Sequence, residues 1–195
     1  VALLDAYDLD EKGAFQAQFC GGALTTPTTV VTAAHCVVDD TNETLSPPED
    51  ILIALARNLK SSNLRTVGVK AITVHPSYDP ATTTFDIAVL TLTAPVADVP
   101  TILPMRPTDA QSLTAVGAVV KVAGWGNLLT KGDSFPDTFK IGRLIVFPDA
   151  SCGSGSQFSV SGVTFDGFES SDASPETMLC AAGVASNRKI IDSCQ

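Results

Sequence analysis

The 195-residue sequence predicts an all-β protein made of two small β domains. Three observations carry that expectation. Short apolar or alternating runs recur with turn residues between them. No 12-residue window sustains the 3.6-residue period of an amphipathic helix. Pro95, Pro100, Pro104 and Pro107 divide the runs into two groups, as a linker between domains would. Many short strands with little helix imply a sandwich or a barrel.

In chain order, the runs rich in β-branched and other apolar residues predict strands at Val1–Leu4, Gln16–Leu24, Thr29–Thr32, Ile51–Ala56, Thr66–His75, Ile87–Leu92, Ala118–Ala123, Phe139–Phe147 and Met178–Ala182. Only Ala33–Val38, Pro107–Thr114 and Asp149–Gly153 read as a helical turn or two. There is no internal repeat and no low-complexity tract.

A content of 45% hydrophobic residues marks a globular chain able to bury a core. The net charge of −9 disfavours nucleic acid and anionic lipid as partners. No run approaches the 18 or more apolar residues of a membrane span, so no membrane anchor is expected; Val1-Ala2-Leu3-Leu4 is too short and lacks the basic flank of a signal peptide. Asp39-Asp40 and Glu49-Asp50 read as solvated loop charges, and neither metal nor cofactor is expected.

Of the five cysteines, Cys20 and Cys36 flank two strands that turn back around Thr25-Thr26-Pro27-Thr28, and Cys152 and Cys180 bracket a Gly/Ser-rich loop. Both pairs read as disulfides, each contributing roughly 3 kcal/mol in the chain-entropy description; buried free thiols are the alternative. Cys194 is left over. No CxxC or histidine-cluster spacing supports zinc, so an oxidising, secreted setting follows. Asn42-Glu43-Thr44 is a glycosylation sequon of low information.

The chemistry gathers around Val30-Val31-Thr32-Ala33-Ala34-His35-Cys36. Val30 to Thr32 end a buried strand, and the small Ala33-Ala34 pair lets the chain turn so that His35 stands at the strand rim, where an imidazole can accept and return a proton near neutral pH. Asp86, at the entrance to the apolar run Ile87-Ala88-Val89-Leu90, is a partly desolvated carboxylate suited to an imidazole N–H. Taken singly, His35 reads as a satisfied core histidine and Asp86 as a strand-start residue; together they read as a base and its orienter.

Cys20-Gly21-Gly22-Ala23-Leu24, Thr32-Ala33-Ala34-His35-Cys36, Asp86-Ile87-Ala88-Val89-Leu90, Gly124-Trp125-Gly126 and Asp192-Ser193-Cys194-Gln195 resemble, in order, the signature stretches of the trypsin-like serine proteases of the chymotrypsin fold. The resemblance implies two perpendicular six-stranded antiparallel β-barrels, the second incomplete, with the site in the cleft between them. Residues 1–105 would form the first barrel and residues 106–195 the second. It implies that His35 is the general base, Asp86 its orienter, and Asp192, Ser193 and Gln195 substrate-binding residues. Asp192 would form the floor of a pocket for arginine or lysine, the alternative being a surface aspartate in a turn. Cys20–Cys36 and Cys152–Cys180 match two family disulfides, and Cys194 matches a half-cystine bonded outside these residues.

Two features of the family are missing from the sequence: the N-terminal Ile-Val-Gly-Gly-type segment, and Gly-Asp-Ser-Gly-Gly, which supplies the nucleophile and the oxyanion-hole amides. A base without a nucleophile performs no acyl transfer. The expectation is therefore one part of a secreted serine endopeptidase whose serine lies in a complementary C-terminal segment or second chain. Peptides carrying arginine or lysine and protein inhibitors would be its partners. The alternative is a catalytically inactive, protease-like binding module.

Overall fold

The computed structural model describes residues 1–39, 44–129, 133–152, 157–165, 178–184 and the strand at 190–191. The chain divides into two compact units, Val1–Pro104 with Asp137–Phe139, and Met105–Pro136 with Lys140–Gln195. Among the described residues no helix is long and apolar enough to cross a membrane.

The first unit opens with β1 (Ala2–Asp5), α1 (Ala6–Lys12) and α2 (Ala14–Ala17). Strands β2 (Gln18–Gly21), β3 (Ala23–Thr26) and β4 (Thr29–Thr32) follow, then the small hairpin β5 (Val38–Asp39) and β6 (Thr44–Leu45), and finally β7 (Ile51–Ala54), β8 (Thr66–Val74) and β9 (Ala88–Leu92). Seven of these form one antiparallel sheet in the order β2-β1-β7-β8-β9-β4-β3. Its two edges, β2 and β3, are consecutive in the chain and separated by Gly22 alone. The sheet must therefore curl until its edges meet, making a six-stranded barrel in which β2 and β3 are halves of one bent strand.

Gly22 makes that corner possible. A Cβ there would meet Val30 Cγ1 at 2.7 Å, the Val31 carbonyl at 3.1 Å and Leu3 Cδ1 at 3.3 Å, so only a residue without a side chain lets the strands approach. The Gly22 N–H donates to the Val1 carbonyl at 3.0 Å. Thr32, a buried polar residue, donates its hydroxyl to the Gly21 carbonyl at 2.8 Å and ties the end of β4 to the same corner.

The barrel core follows the period of two. Val30 on β4, Ile51 and Ile53 on β7, and Ala88, Leu90 and Leu92 on β9 point inward and pack with Leu3, Leu24, Val37, Val69 and Val96. Alternate residues such as Val89 and Thr91 are not buried.

The predicted strand Gln16–Leu24 starts two residues late, because Gln16 and Ala17 close a helical turn on Gly13 through N–H bonds to its carbonyl at 3.1 and 3.0 Å. The helix α1 was not expected. Asp5 caps it by accepting the Asp8 N–H at 2.8 Å, Lys12 reaches Asp8 at 2.8 Å one turn on, and Gly13 at φ 80° ends it. Seven residues are too few to show in a 12-residue window. Ala33–Val38 is a hydrogen-bonded turn running into β5 and not a helix.

The second unit contains α3 (Ala110–Leu113), β10 (Val119–Gly124), β11 (Lys140–Val146), the hairpin β12 (Phe158–Val160) and β13 (Val163–Phe165), then β14 (Ala181–Val184) and β15 (Ile190–Ile191). Its larger sheet runs β10-β11-β14-β15, and the hairpin is separate. The core is aromatic: Phe147 packs on Phe158 and Phe165 with ring centroids 4.6 and 5.2 Å apart, beside Cys152, Cys180 and Ala182. Both predicted short turns, Pro107–Thr114 and Asp149–Gly153, hold helical turns within their bounds, at 107–113 and 149–151. The hairpin β12–β13 was not anticipated, since three-residue strands carry too few positions to show a period.

Candidate active site

His35 and Asp86 are 51 residues apart in the chain, and the sheet register brings them together. β4 and β9 pair antiparallel with Thr32 opposite Ala88. The chain leaving β4 and the chain entering β9 therefore share one end of the barrel, with His35 three residues beyond Thr32 and Asp86 two residues before Ala88.

Each side chain is aimed by a local turn. After β4 the carbonyl of fully buried Ala34 accepts the N–H groups of Val37 and Val38 at 2.9 and 3.1 Å, a tight turn that leaves His35 at its outer corner. Cys36 is bonded to Cys20 on β2, with Cα atoms 6.1 Å apart, which anchors that turn to the barrel wall. On the other side the Ile87 N–H donates to the Phe85 carbonyl at 2.7 Å, forming a three-residue turn around Asp86.

The residues leading to that turn are held in an unfavourable backbone region, Thr83 at φ 49° and Phe85 at φ 54°. Their conformation is supported from outside. Phe85 stacks on His75 with centroids 4.9 Å apart and rings 6° from parallel, and Asp79 accepts the Ala81 N–H and the Thr82 hydroxyl, both at 2.9 Å. The His75 N–H donates to the Ile87 carbonyl at 3.0 Å, and its Nδ1 accepts the Ser77 N–H at 3.1 Å, so this second histidine carries its ring proton on Nε2.

The Asp86 carboxylate grips His35 at two points. Its Oδ1 accepts the His35 backbone N–H at 2.9 Å and its Oδ2 meets the His35 Nδ1 at 2.7 Å. An ionised carboxylate only accepts, so Nδ1 carries the proton and the lone pair stands on Nε2. Nε2 lies 3.7 Å from Cys36 Sγ. Both side chains are partly buried, His35 at 34% and Asp86 at 23% exposure, so the pair is sheltered while the ring stays reachable. The arrangement can take a proton at Nε2 and stabilise the resulting imidazolium through Asp86.

The remaining sequence-predicted residues fall as follows. Cys152 and Cys180 are bonded in the second unit. Asn42, Asp192, Ser193, Cys194 and Gln195 lie outside the described residues. Among the described residues, Cys20, His35 and Cys36 are the one group that brings three potential metal ligands together, and the disulfide removes both thiolates from that role.

Sequence reasoning did not anticipate the His35 backbone N–H as the second anchor of Asp86, because every residue but proline offers that donor. It also passed over Gly132-Asp133-Ser134, three residues of the nucleophile motif, here followed by Phe135-Pro136 in place of Gly-Gly. Ser134 belongs to a loop closed on itself: its N–H donates to Asn127 Oδ1 at 3.0 Å and its carbonyl accepts the Leu128 N–H at 2.9 Å.

A curled antiparallel barrel bearing a carboxylate-held histidine at one end, followed by a second, mainly β unit, defines a class of protein equipped for proton transfer at that histidine. The trypsin family profile matches residues 9–195, and the chain belongs to that family, with the trypsin-like chymotrypsin fold. A trypsin from Saccharopolyspora erythraea is 40% identical over 136 residues, covering 69% of this chain and 56% of that protein. Human serine protease 56 is 30% identical over 184 residues, 90% of this chain and 26% of that protein. Human mannan-binding lectin serine protease 1 is 33% identical over 149 residues, 69% of this chain and 20% of that protein. The matched region thus spans little more than half of the bacterial trypsin and about a quarter or less of the two human proteins.

Proposed function

We propose that this chain carries the base half of a secreted serine endopeptidase that cleaves after arginine or lysine through an acyl-enzyme. The observation that supports the reading is the two-point grip of Asp86 on His35, which fixes the ring and leaves the Nε2 lone pair free to act as base. None of the 195 residues stands in a Gly-Asp-Ser-Gly-Gly context, so the nucleophile is assigned to a segment outside them, carried in the same polypeptide or in a second one joined through Cys194.

The serine hydroxyl would give its proton to His35 Nε2 as its oxygen attacks the scissile carbonyl. Asp86 would stabilise the imidazolium, which then returns the proton to the departing amine; a water activated by the same nitrogen would release the acyl group. This is the Ser-His-Asp scheme, for which the present family is itself the reference case. Asp192 would sit at the base of the first specificity pocket, with Ser193 and Gln195 beside it. A carboxylate in a desolvated slot favours a substrate that brings its own cation, and arginine can engage it bidentately where lysine offers a point charge. Protein or peptide substrates and protein inhibitors are the partners this chemistry fits, and the disulfides suit an extracellular setting.

The test is to produce the chain together with the serine-bearing segment and measure hydrolysis of peptide amides. Cleavage after Arg or Lys well above cleavage after Phe or Leu is expected, inhibited by sulfonyl fluorides and reduced about 10²–10⁴-fold by His35→Ala. The 195-residue chain alone should show no turnover. Asp192→Ser should erase the preference for cations. Peptide binding without hydrolysis in the complete protein would replace this reading with that of an inactive binding module.

A further inference from the structure

The disulfide that anchors the His35 turn also touches the proposed base. Cys36 Sγ lies 3.7 Å from His35 Nε2, and Asp86 holds the opposite ring nitrogen at 2.7 Å. Sulfur, imidazole and carboxylate are thus in contact in that order. While Cys36 is bonded to Cys20 its sulfur has no proton to give, and Nε2 keeps its lone pair. We propose that Cys20–Cys36 is a redox modification site: its reduction by an external dithiol turns Cys36 into a thiolate paired with the His35 imidazolium and withdraws the base.

The step balances without further reagents. One thiolate of the dithiol attacks a sulfur of the bond and forms a mixed disulfide, and the other sulfur leaves as thiolate. The second thiol of the reagent then displaces the mixed disulfide and closes the reagent's own ring. Two electrons and two protons have passed to Cys20 and Cys36. The Cys36 proton moves to Nε2, Asp86 keeps the Nδ1 proton in place, and the ion pair stabilises the reduced state. In that state Nε2 has no lone pair to accept the proton of a nucleophilic hydroxyl.

Other charges bear on the thiolate. Asp5, at the end of β1, and Asp50, just before β7, line a cavity of about 270 Å³ together with Cys36, and both oppose a negative sulfur. Asp50 is exposed and Asp5 partly so, so water screens them, whereas the imidazole is in direct contact with the sulfur. Cys152–Cys180 offers an internal reference. Its sulfurs are buried among Phe147, Phe165 and Ala182, with no cation in that described cluster. Cys36 is partly exposed and Cys20 only 4% exposed, so the bond is approached from the Cys36 side.

The inference rests on three side chains in contact and not on peptide cleavage, so either reading can fail alone. The folded protein is treated with a graded dithiol series and pulse-alkylated with iodoacetamide at pH 6.5, and the modified cysteines are mapped by mass. Cys20 and Cys36 should be released before Cys152 and Cys180, and Cys36 should alkylate about tenfold faster than an ordinary thiol of pKa near 8.5. His35→Asn should remove that acceleration. Cys20→Ser, read by thiolate absorbance against pH, should titrate at least about one unit below 8.5. If that variant does not fold, the pulse experiment on the native chain decides by itself. Earlier release of Cys152–Cys180, or a Cys36 rate unchanged by His35→Asn, overturns the proposal.

Discussion

Between residues 1 and 104 the alternating strands curl into a sheet whose two edges are one bent strand, and every inward position of β4 and β9 is buried: Val30 0%, Thr32 7%, Ala88 1%, Leu90 0% and Leu92 3% exposed. In the second unit β10 and β11 pair over six residues with the same kind of alternation, yet β10 has no buried residue: even Val120 and Val122, on the face they share with buried Leu144 of β11, are only half-buried. Burial there concentrates in Leu144 and Val146 at the end of β11, Trp125, Phe147, Phe165 and the Cys152–Cys180 bond. The difference teaches that alternation makes a strand, whereas closure makes a core. Once a sheet's edges meet, all inward residues share one interior; a four-stranded sheet covers its inner face only where another element packs on it.

The largest effect that could break this comparison is a truncation on the inward face of each sheet. Leu90→Ala, in the closed core, should cost about 3 kcal/mol in denaturant unfolding, while Val122→Ala, on the inward face of half-buried β10, should cost about 1 kcal/mol or less. Equal losses would mean that the second sheet is as fully covered as the first.

A methyl group placed at the barrel corner comes next. Gly22→Ala must displace Val30, Val31 or Leu3, with an expected loss of about 1–3 kcal/mol measured in the same way. Gly124→Ala, at the end of β10, meets nothing within 4 Å and should be neutral or slightly stabilising. A silent Gly22→Ala would show that the sheet need not close through β2 and β3.

The smallest effect sharpens the electrostatics of the first unit. Arg65 binds Asp98 through two hydrogen bonds of 2.9 Å on an exposed surface and, chiefly through them, holds its carboxyl below the ordinary value of 3.8. A carboxyl lowered on folding adds stability that is present above its unfolded value and lost as pH falls through the folded one. Wild type and Asp98→Asn should therefore have the same melting temperature well below pH 3.8 and part slightly above it, less so in high salt. A difference persisting at pH 2 would mean that Asp98 acts through packing and not through charge.

Much of this protein is legible in local sequence. Strand positions follow from β-branched runs and their period of two, which reside in a few consecutive residues, and the two described disulfides join the cysteines that flank a turn and a loop. His35 and Asp86 stand out for the same reason, each at the rim of an apolar run. The short helix α1 escapes, since seven residues cannot display a helical period, although Asp5 and Asp8 mark its cap. What only the tertiary structure decided is which distant residues meet. The register of Thr32 opposite Ala88 puts Asp86 on both the ring and the backbone of His35, Gly22 lets two strand halves close a barrel, and Asp137–Phe139 return to the first unit by hydrogen bonds to Arg57 and Leu59. The physical reason is common to all three: backbone amides and sheet registers look alike at every position of the chain, and their partners are chosen by the loop closure and core packing of the whole unit.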